Sequence, residues 1–451
     1  MSKTFRPYTP GQSFLLPPSP LDWLPEGHLA RFILDLMREL DLTRIYAYYE
    51  RELRGYPPHH PLMMVALLLY GYCVGVPSSR KIERKTHEDV AFRVIAGGEH
   101  PDHTRISEFR RVHLEALAEL FVQVLKLCQK AGLVKLGMVA LDGTKFKANA
   151  SKHKAMSYDR MQKDEARLRE KVAKLLAAAE KVDAGEDAEY GAGRTGDELP
   201  EELRRTQDRL KKIREAKAAL EAEAKQRKAE EQAAKDNDEP PPGPRETSLP
   251  KHKVPITAEG KPTDKAQRNF TDPESRIMKT GDGYVQGYNC QAAVDAAHQI
   301  IVAEAVTNQS PDPEHLVPML TKTVDNCGAT PEKLIADAGY FSENNVCEPQ
   351  KWGVDPYIST GRQRHDETTP PVRGRAPNDM TVKEAMARKL ATKAGKSVYA
   401  RRKAIVEPVF GQIKEARGLR RFLLRGLQKV RGEWSLITLT HNILKLHGAT
   451  A

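Results

Sequence analysis

The N-terminal part of the chain repeats apolar side chains with the period of an α-helix. Leu29, Phe32, Ile33, Leu36, Met37 and Leu40 follow the i, i+3, i+4, i+7 pattern of an amphipathic helix. Three further helices are predicted, at Pro61 to Tyr72, Ser79 to about Ala96 and Thr104 to about Lys130. These patterns predict an all-helical N-terminal domain over residues 1–132.

The segment GVPSS, between the second and third of these helices, is typical of a helix-turn-helix junction. Four basic side chains then share about one face of the helix that follows, namely Arg80, Lys81, Arg84 and Lys85. Such a helix is suited to reading DNA in the major groove. A four-helix support domain with an ordinary basic surface explains the same residues, because a turn of this kind is a weak signal.

Between about Met156 and Lys235 the composition shifts to Ala, Glu, Lys and Arg, and apolar residues recur every seven positions. Two such sets flank a glycine-rich piece, the first with Met161, Leu168, Leu175 and Val182, the second with Leu203, Leu210, Ile213, Leu220 and Ala224. The pattern predicts an antiparallel helical hairpin over residues 156–239, inserted into the following domain. A Pro-rich flexible linker is predicted at 240–261. An arm, a spacer and a dimer contact all remain open as roles for the hairpin.

The rest of the chain alternates short apolar runs with helical segments. VALDGT predicts a buried strand that ends at the turn dipeptide Asp142-Gly143. YVQGYNCQAAVDA and QIIVAEAVT predict an antiparallel pair, and KLIADAG and VDPYIS predict two further strands with helices between and after them. This order predicts an α/β domain, a mixed sheet with flanking helices, built from residues 133–155 and 262–451.

Two of these strands end in an aspartate followed by a small residue, Asp142 and Asp337. If the two strands are parallel neighbours, both carboxylates emerge at the carboxyl edge of the sheet, the usual place for a site. Taken singly, each aspartate is more often a turn residue or a helix cap. A third carboxylate, Glu407, lies among basic residues on a helix with a buried face, where a surface salt bridge is the simple alternative.

Three clustered carboxylates repel one another unless a cation lies between them. Carboxylate oxygens are suited to Mg²⁺ or Mn²⁺. Two such ions, about 3.5 to 4 Å apart, promote in-line phosphoryl displacement. Basic side chains on the helix of Glu407 would hold a nucleic-acid backbone against the metals. The sequence therefore predicts a two-metal site for phosphoryl transfer.

The charge distribution favours a polyanionic partner. Lys and Arg number 72 and Asp and Glu 61, so the net charge is +11. Residues 360–451 alone hold 20 basic and 7 acidic side chains, a surplus larger than that of the whole chain. Nucleic acid is the obvious partner for such a surface. A solvated helical surface explains the charge equally simply.

Cysteine usage and hydropathy predict a cytoplasmic protein with no membrane partner. The five cysteines form no CxxC pair, which fits a reducing compartment and argues against a zinc site or a disulfide framework. The first residues show no signal-peptide pattern. The longest apolar run, Leu62 to Val76, has 15 residues, whereas a membrane span needs about 20.

Four segments together resemble a known family. They are VALDGTKFKANAS, DPESRIMKTGDGYVQGYNCQAAVD, LIADAGYFS and RRKAIVEPVFGQIK. They are similar to segments of the DDE transposases of bacterial insertion sequences, whose catalytic domain has the ribonuclease-H-like fold. The resemblance implies that Asp142, Asp337 and Glu407 are the catalytic, metal-binding triad. It further implies that water cuts the element end, that the new 3′-hydroxyl attacks target DNA, and that protomers act as dimers or larger assemblies on DNA.

Many of these transposases carry a signature of Tyr, two residues, Arg, three residues, Glu, six residues and Lys. Lys414 has the expected spacing from Glu407, and Tyr399 has the expected spacing from Arg402. Four residues rather than three separate Arg402 from Glu407, and Lys403 occupies the expected arginine position. The resemblance therefore implies DNA contacts by Tyr399, Lys414 and either Arg402 or Lys403.

Two other functions compete with transposition. A metal-dependent nuclease would keep the fold and only hydrolyse DNA or RNA. A DNA-binding protein derived from a transposase would lack catalysis, although all three carboxylates are present in this sequence.

Overall fold

The computed structural model of this chain describes residues 19–51, 57–190, 201–236, 249–281, 283–361, 377 and 379–450. Within them the chain forms two compact units. One comprises the residues up to Ala116 together with those from His447, and the other comprises Leu117–Leu446. The boundary predicted at residue 132 lies inside the second unit, and residues 1–18 of the predicted first domain lie outside the described residues.

The first unit is built from helices, as predicted. They are α1 (Leu29–Leu36), α2 (Thr43–Tyr49), α3 (Pro61–Cys73), α4 (Ser79–Glu88), α5 (Val90–Ile95) and α6 (His103–Val112). α3 is apolar on all sides and almost entirely buried, as expected of a central core helix. No helix in the described part of the chain is long and apolar enough to cross a membrane.

Two helices that the sequence predicts as continuous are each divided. Asp89 has an extended backbone between α4 and α5, and its carboxylate accepts hydrogen bonds from the N–H groups of Ala91 and Phe92. This cap ends one helix and begins the next. The second predicted helix is interrupted at His113, between α6 and α7 (Leu114–Lys130). The first turn of α6 is capped by the carboxylate of Asp102, which accepts hydrogen bonds from the N–H groups of Thr104 and Arg105.

The second unit contains the predicted mixed sheet. The strands are β1 (Val139–Lys147), β2 (Ala155–Ser157), β3 (Gln267–Asn269), β4 (Arg276–Thr280), β5 (Gly283–Asp295), β6 (Ile301–Thr307), β7 (Lys333–Ala336) and β8 (Asp355–Ile358). The main sheet has the order β4-β5-β1-β7-β8, with β6 paired to β5. β5 is antiparallel to each of its neighbours β4, β1 and β6, whereas β1, β7 and β8 are parallel to one another. β4 was not predicted, because its sequence RIMKT is mostly polar.

The predicted helical hairpin consists of α8 (Tyr158–Tyr190) and α9 (Glu201–Asp236). The helices are antiparallel: Tyr158 donates a hydrogen bond to Glu221 at 2.7 Å, and further along the pair Glu165 accepts one from Lys217 at 3.0 Å. The heptad positions Met161, Leu168, Leu210, Ile213 and Leu220 are buried in the hairpin core, as predicted. Residues 191–200, between the two helices in the sequence, lie outside the described residues.

The return from the hairpin differs from the predicted flexible linker. Residues 240–248 lie outside the described ones, but Val254 is buried in the hairpin core. Its carbonyl accepts a hydrogen bond from Arg227 on α9 at 2.6 Å. Burial of this apolar side chain fixes the returning chain against the hairpin.

Helices flank the main sheet, as predicted. They are α10 (Leu316–Cys327), α11 (Glu343–Lys351), α12 (Val382–Ala391), α13 (Lys393–Gly411) and α14 (Leu427–Thr450). Trp434 of α14 is fully buried, and its indole N–H donates to the carbonyl of Gln291 at 3.3 Å. The Asn442 side chain makes two hydrogen bonds of 2.9 Å with the backbone of Ile301, which satisfies polar groups of β6.

Candidate active site at the carboxyl edge of the sheet

The two predicted aspartates lie at the same edge of the sheet, on neighbouring strands. The parallel pairing of β1 with β7 ends at Leu141 and Ala336, so Asp142 and Asp337 follow it directly. The sequence predicted that β1 ends at Asp142. In the structure β1 continues to Lys147, because its antiparallel pairing with β5 extends that far. The two carboxylates therefore emerge where the parallel ladder ends, as in other sites of α/β proteins.

Arg402 links the first aspartate to the third predicted carboxylate. Its Nη1 donates a hydrogen bond to Asp142 Oδ2 at 2.8 Å, and its Nη2 lies 3.8 Å from Glu407 Oε1. The Arg402 and Asp142 side chains are 13% and 17% exposed, whereas Glu407 is 55% exposed. Asp337 interacts electrostatically with both Asp142 and Arg402. The three carboxylates thus lie within electrostatic reach of one largely buried guanidinium.

The charges of this cluster are not fully balanced. Burial and the charge of Asp337 raise the pKa of Asp142 to about 6, despite the opposing effect of Arg402. Burial lowers the pKa of Arg402, but the neighbouring carboxylates outweigh it, so the pKa of the guanidinium is raised. A further cation near Asp142 would therefore favour its ionised form.

A proline determines the course of α13 next to Glu407. Pro408 has no N–H to donate to the Ala404 carbonyl, which instead accepts a hydrogen bond from Gln299 Nε2 at 3.0 Å. A π-helical turn, Gln412–Ala416, follows. Proline and π-turns bend helices, and π-turns are frequent at functional sites. The backbone around Glu407 is thus irregular on its C-terminal side.

Tyr399 and Lys403 lie differently with respect to the carboxylates. Tyr399 is partly buried and lies near Arg402 and Ser359. Burial raises the pKa of its hydroxyl. Lys403 is exposed on the surface of α13. Of the two candidates for the signature arginine, Arg402 contacts the acidic cluster and Lys403 is exposed to solvent.

Lys414 is directed at the sheet. Its ammonium donates a hydrogen bond to the hydroxyl of Thr144 and another, of 3.1 Å, to the carbonyl of Lys145. Burial lowers the pKa of this lysine. The predicted phosphate-binding residue therefore also connects the π-helical turn to β1.

α4 carries the basic face that the sequence predicted. Arg80, Lys81 and Arg84 are exposed, whereas Lys85 forms an ion pair with Asp89 at 3.5 Å. The opposite side of the helix is buried in the first unit. Three cations on one exposed helix face are available to a polyanion, so DNA binding by this helix stays a prediction.

A fourth acidic side chain, Asp312, lies at this edge and was not predicted. Its Oδ1 accepts hydrogen bonds from Asn289 Nδ2 at 2.7 Å and Gln291 Nε2 at 2.9 Å. Lys145 Nζ lies 3.5 Å from the same oxygen. The signal in the sequence was the pair of polar residues Asn289 and Gln291, two positions apart in β5.

Asp142 and Asp337 fit a hard divalent cation, because carboxylate oxygens are preferred ligands of Mg²⁺ and Mn²⁺. Across the described ranges no three acidic, His or Cys side chains are close enough together to hold a metal ion. Mg²⁺ commonly binds to one or two carboxylates, retains several waters and takes further ligands from substrate phosphates. The arrangement suits such an ion, and the full triad with Glu407 stays a prediction.

Comparison with protein families gives two matches. Residues 249–443 match the family described as Transposase DDE domain, and residues 18–112 match the Transposase domain (DUF772). The first match includes Asp337 and Glu407, and the second includes α4. Asp142 lies outside both, because the hairpin separates it from the rest of the sheet. No curated protein and no solved structure matches this chain.

Proposed function

Because this chain is a transposase with a DDE catalytic domain, we propose that it cuts DNA at the ends of an insertion sequence and joins those ends to target DNA. A DDE transposase is a polynucleotidyl transferase, so both steps belong to its chemistry. The observation that carries the proposal is the approach of Asp142 and Glu407 to one guanidinium at the carboxyl edge of the sheet, where Asp337 follows the neighbouring strand.

The two proposed steps use the same displacement at phosphorus. In the first, a water oxygen attacks the phosphodiester at the element end, and the 3′-oxygen leaves as a hydroxyl. In the second, that 3′-hydroxyl attacks a phosphodiester of the target and displaces its 3′-oxygen. The second step breaks one phosphoester bond and forms another, so it needs no external energy source.

Asp142 and Asp337, with Glu407, would hold the divalent cations, Mg²⁺ or Mn²⁺, in this reaction. When bound, two such ions activate the attacking oxygen and stabilise the leaving oxygen. Arg402 orients Asp142 through its hydrogen bond of 2.8 Å. Tyr399 lies near Arg402, one turn before it on α13.

DNA contacts are proposed on both units. Exposed Lys403 is suited to a phosphate next to the reacting one, because it lies on the same helix as Glu407. The exposed side chains of α4, Arg80, Lys81 and Arg84, are suited to the DNA of the element end. Two ends must be processed together, so we propose that protomers act as a dimer or larger assembly on DNA.

The test is cleavage of DNA that carries the ends of the element encoding the chain. Asp142→Asn, Asp337→Asn and Glu407→Gln should each abolish cleavage in Mg²⁺ and leave DNA affinity nearly unchanged, because each removes charge from the metal site. Glu415→Gln is the matched control, since this exposed glutamate pairs with Arg420 outside the cluster.

Strand transfer distinguishes the competing functions. With a pre-cut end, a transposase joins the 3′-hydroxyl to target DNA, whereas a nuclease leaves the target unjoined. A protein that binds element ends and leaves them intact in Mg²⁺ is a DNA-binding protein only. Normal cleavage by any triad variant would remove that residue from the site.

A further inference from the structure

The carboxylate of Asp312 does not have the local role expected from its position. Asp312 immediately precedes a short helical turn, Pro313–His315, that leads into α10. Aspartate at this position usually accepts a hydrogen bond from an N–H group of the first turn. No N–H of this turn bonds to the Asp312 side chain. Its carboxylate is directed at β5 instead.

Two glycines lie next to this carboxylate, one in the segment of Asp142 and the other in the segment of Asp337. A methyl group at Gly143 would lie 3.2 Å from Asp312 Oδ1 and only 2.5 Å from Gln291 Nε2. A methyl group at Gly339 would lie 3.5 Å from Asp312 Oδ2 and 3.0 Å from Asp337 Oδ1. Asp312 therefore lies between the two segments that carry Asp142 and Asp337.

One oxygen of Asp312 is fixed and the other is open. Oδ1 takes both amide hydrogen bonds, from Asn289 and Gln291, and the ion pair with Lys145. Gln291 is itself held by the buried hydroxyl of Tyr340. In the part of the chain that the structure describes, no hydrogen bond reaches Oδ2. The bonds at Oδ1 thus orient the carboxylate with Oδ2 toward Gly339 and Asp337.

Tyr340 lies close to the same three aspartates. Its side chain is fully buried, and it interacts electrostatically with Asp312, Asp142 and Asp337. The three aspartates therefore act on one point inside the protein, although they come from separate segments of the chain.

We propose that Asp312 is a supporting carboxylate of the divalent-cation site. It adds negative charge and the acceptor Oδ2 beside Asp337, without completing a set of three described carboxylates close enough to hold the ion directly. The inference rests on the proposed function, because that function supplies the cation. Lys145 offsets part of the charge of Asp312 and thereby moderates the affinity of the site. Groups that support the primary ligands of a metal in this way commonly change its affinity about 10- to 100-fold.

The experiment measures Mn²⁺ binding to the full chain by the electron paramagnetic resonance signal of free Mn²⁺, without DNA. Asp312→Asn keeps the shape of the side chain and should weaken Mn²⁺ binding about 10- to 100-fold. Asp142→Asn should remove most binding. Glu314→Gln, an exposed glutamate two positions away, is the matched control and should bind Mn²⁺ as the wild type does.

The substitution Lys145→Met should change the affinity for Mn²⁺ in the opposite direction. Removing this ammonium leaves the carboxylates more negative, so Mn²⁺ should bind more tightly, by up to about tenfold. A purely structural role of the Asp312–Lys145 pair would predict weaker or unchanged binding. This variant also decides the matter if Asp312→Asn fails to fold, which its thermal unfolding in EDTA would reveal.

The outcomes separate the two hypotheses. If Asp142→Asn loses Mn²⁺ while Asp312→Asn and Lys145→Met bind it as the wild type does, Asp312 is not part of the cation site and the proposed function stands. If the wild type itself binds no Mn²⁺ better than Asp142→Asn does, the proposed metal chemistry fails together with the inference.

Discussion

Arg402 Nη1 donates a hydrogen bond of 2.8 Å to Asp142 Oδ2, although 260 residues separate them in the sequence. The same guanidinium lies 3.8 Å from Glu407. It therefore serves as a counter-ion for two of the three carboxylates that we propose to bind metal. A divalent cation that binds to Asp142 must compete with this contact or share the carboxylate with it.

The different positions of Arg402 and Lys403 predict different effects of their replacement. Arg402→Ala should lower single-turnover cleavage about 100-fold, because Asp142 loses the group that orients it. Its effect on DNA affinity should be small. Lys403→Ala should instead weaken DNA binding and lower the slope of log K against log salt by about one unit. DNA binding at several salt concentrations measures the effect of Lys403→Ala, and cleavage at saturating DNA measures that of Arg402→Ala. If Arg402→Ala lowered the salt slope instead, Arg402 would be the phosphate contact.

Asp142 makes the stability of the metal-free protein depend on pH. Its pKa is raised to about 6 by burial, from an ordinary value of 3.8. Ionising it therefore costs stability, and the cost grows as the pH rises from about 4 to 6 and stays constant above that. At pH 8 in EDTA, Asp142→Asn should be more stable than the wild type by roughly 2 to 3 kcal/mol.

Urea unfolding at several pH values measures this difference, which should shrink as the pH falls from 6 toward 4. Mg²⁺ should stabilise the wild type and not Asp142→Asn, since a ligand of the native state raises stability in proportion to its binding. A variant that is less stable than the wild type at pH 8 would show that Arg402 outweighs the cost of burial.

The contacts of Lys414 predict a loss of stability on its replacement. Lys414→Ala should lower the free energy of unfolding by about 1 to 3 kcal/mol, because the buried carbonyl of Lys145 and the hydroxyl of Thr144 lose their donor. The salt dependence of DNA binding by the folded variant tests the phosphate contact separately. A slope lower by about one unit would establish that contact, and an unchanged slope with reduced stability would assign Lys414 to the fold.

Glu165 is the main polar anchor of the hairpin. Its carboxylate, 7% exposed, pairs with Arg169 at 2.6 Å, Lys217 at 3.0 Å and Arg214 at 3.2 Å. Burial raises the pKa of Glu165, but the hydrogen bonds from these cations outweigh it and hold the pKa below its ordinary value. The pairing should therefore stabilise the hairpin at neutral pH and cease to do so as the pH falls through the acid range.

Glu165→Gln should accordingly lower stability by about 1 to 2 kcal/mol at pH 7, a value reduced from that of buried pairs because Arg169 and Arg214 are about half exposed. The difference from the wild type should decrease as the pH falls below the ordinary value of 4.5, and it should vanish once the pH is below the lowered pKa of Glu165. Hydrogen exchange of α8 and α9 reports it locally. Glu170→Gln, which breaks an exposed pair with Lys174, is the control and should have little effect.

The sequence by itself determined the local elements and the edge at which the site lies. The period-seven repeat through Leu168, Leu210 and Leu220 predicted the hairpin, since periodicity records which side of a helix is buried. The apolar runs that precede Asp142 and Asp337 predicted two buried strands. Because parallel strands present their carboxyl ends at one edge, these runs also placed both aspartates together.

The tertiary structure decided what each polar group contacts. β1 continues past Asp142 because β5, more than 130 residues later, pairs with it to Lys147. For the same reason Arg402 contacts Asp142, and Lys414 is directed at β1. Asp312 likewise lies between the segments that carry Asp142 and Asp337. Each position depends on chain segments that are distant in sequence and meet only when the sheet forms. Hydrogen bonds and ion pairs are short-ranged and directional, so no pattern along the chain specifies which of several charged side chains will meet.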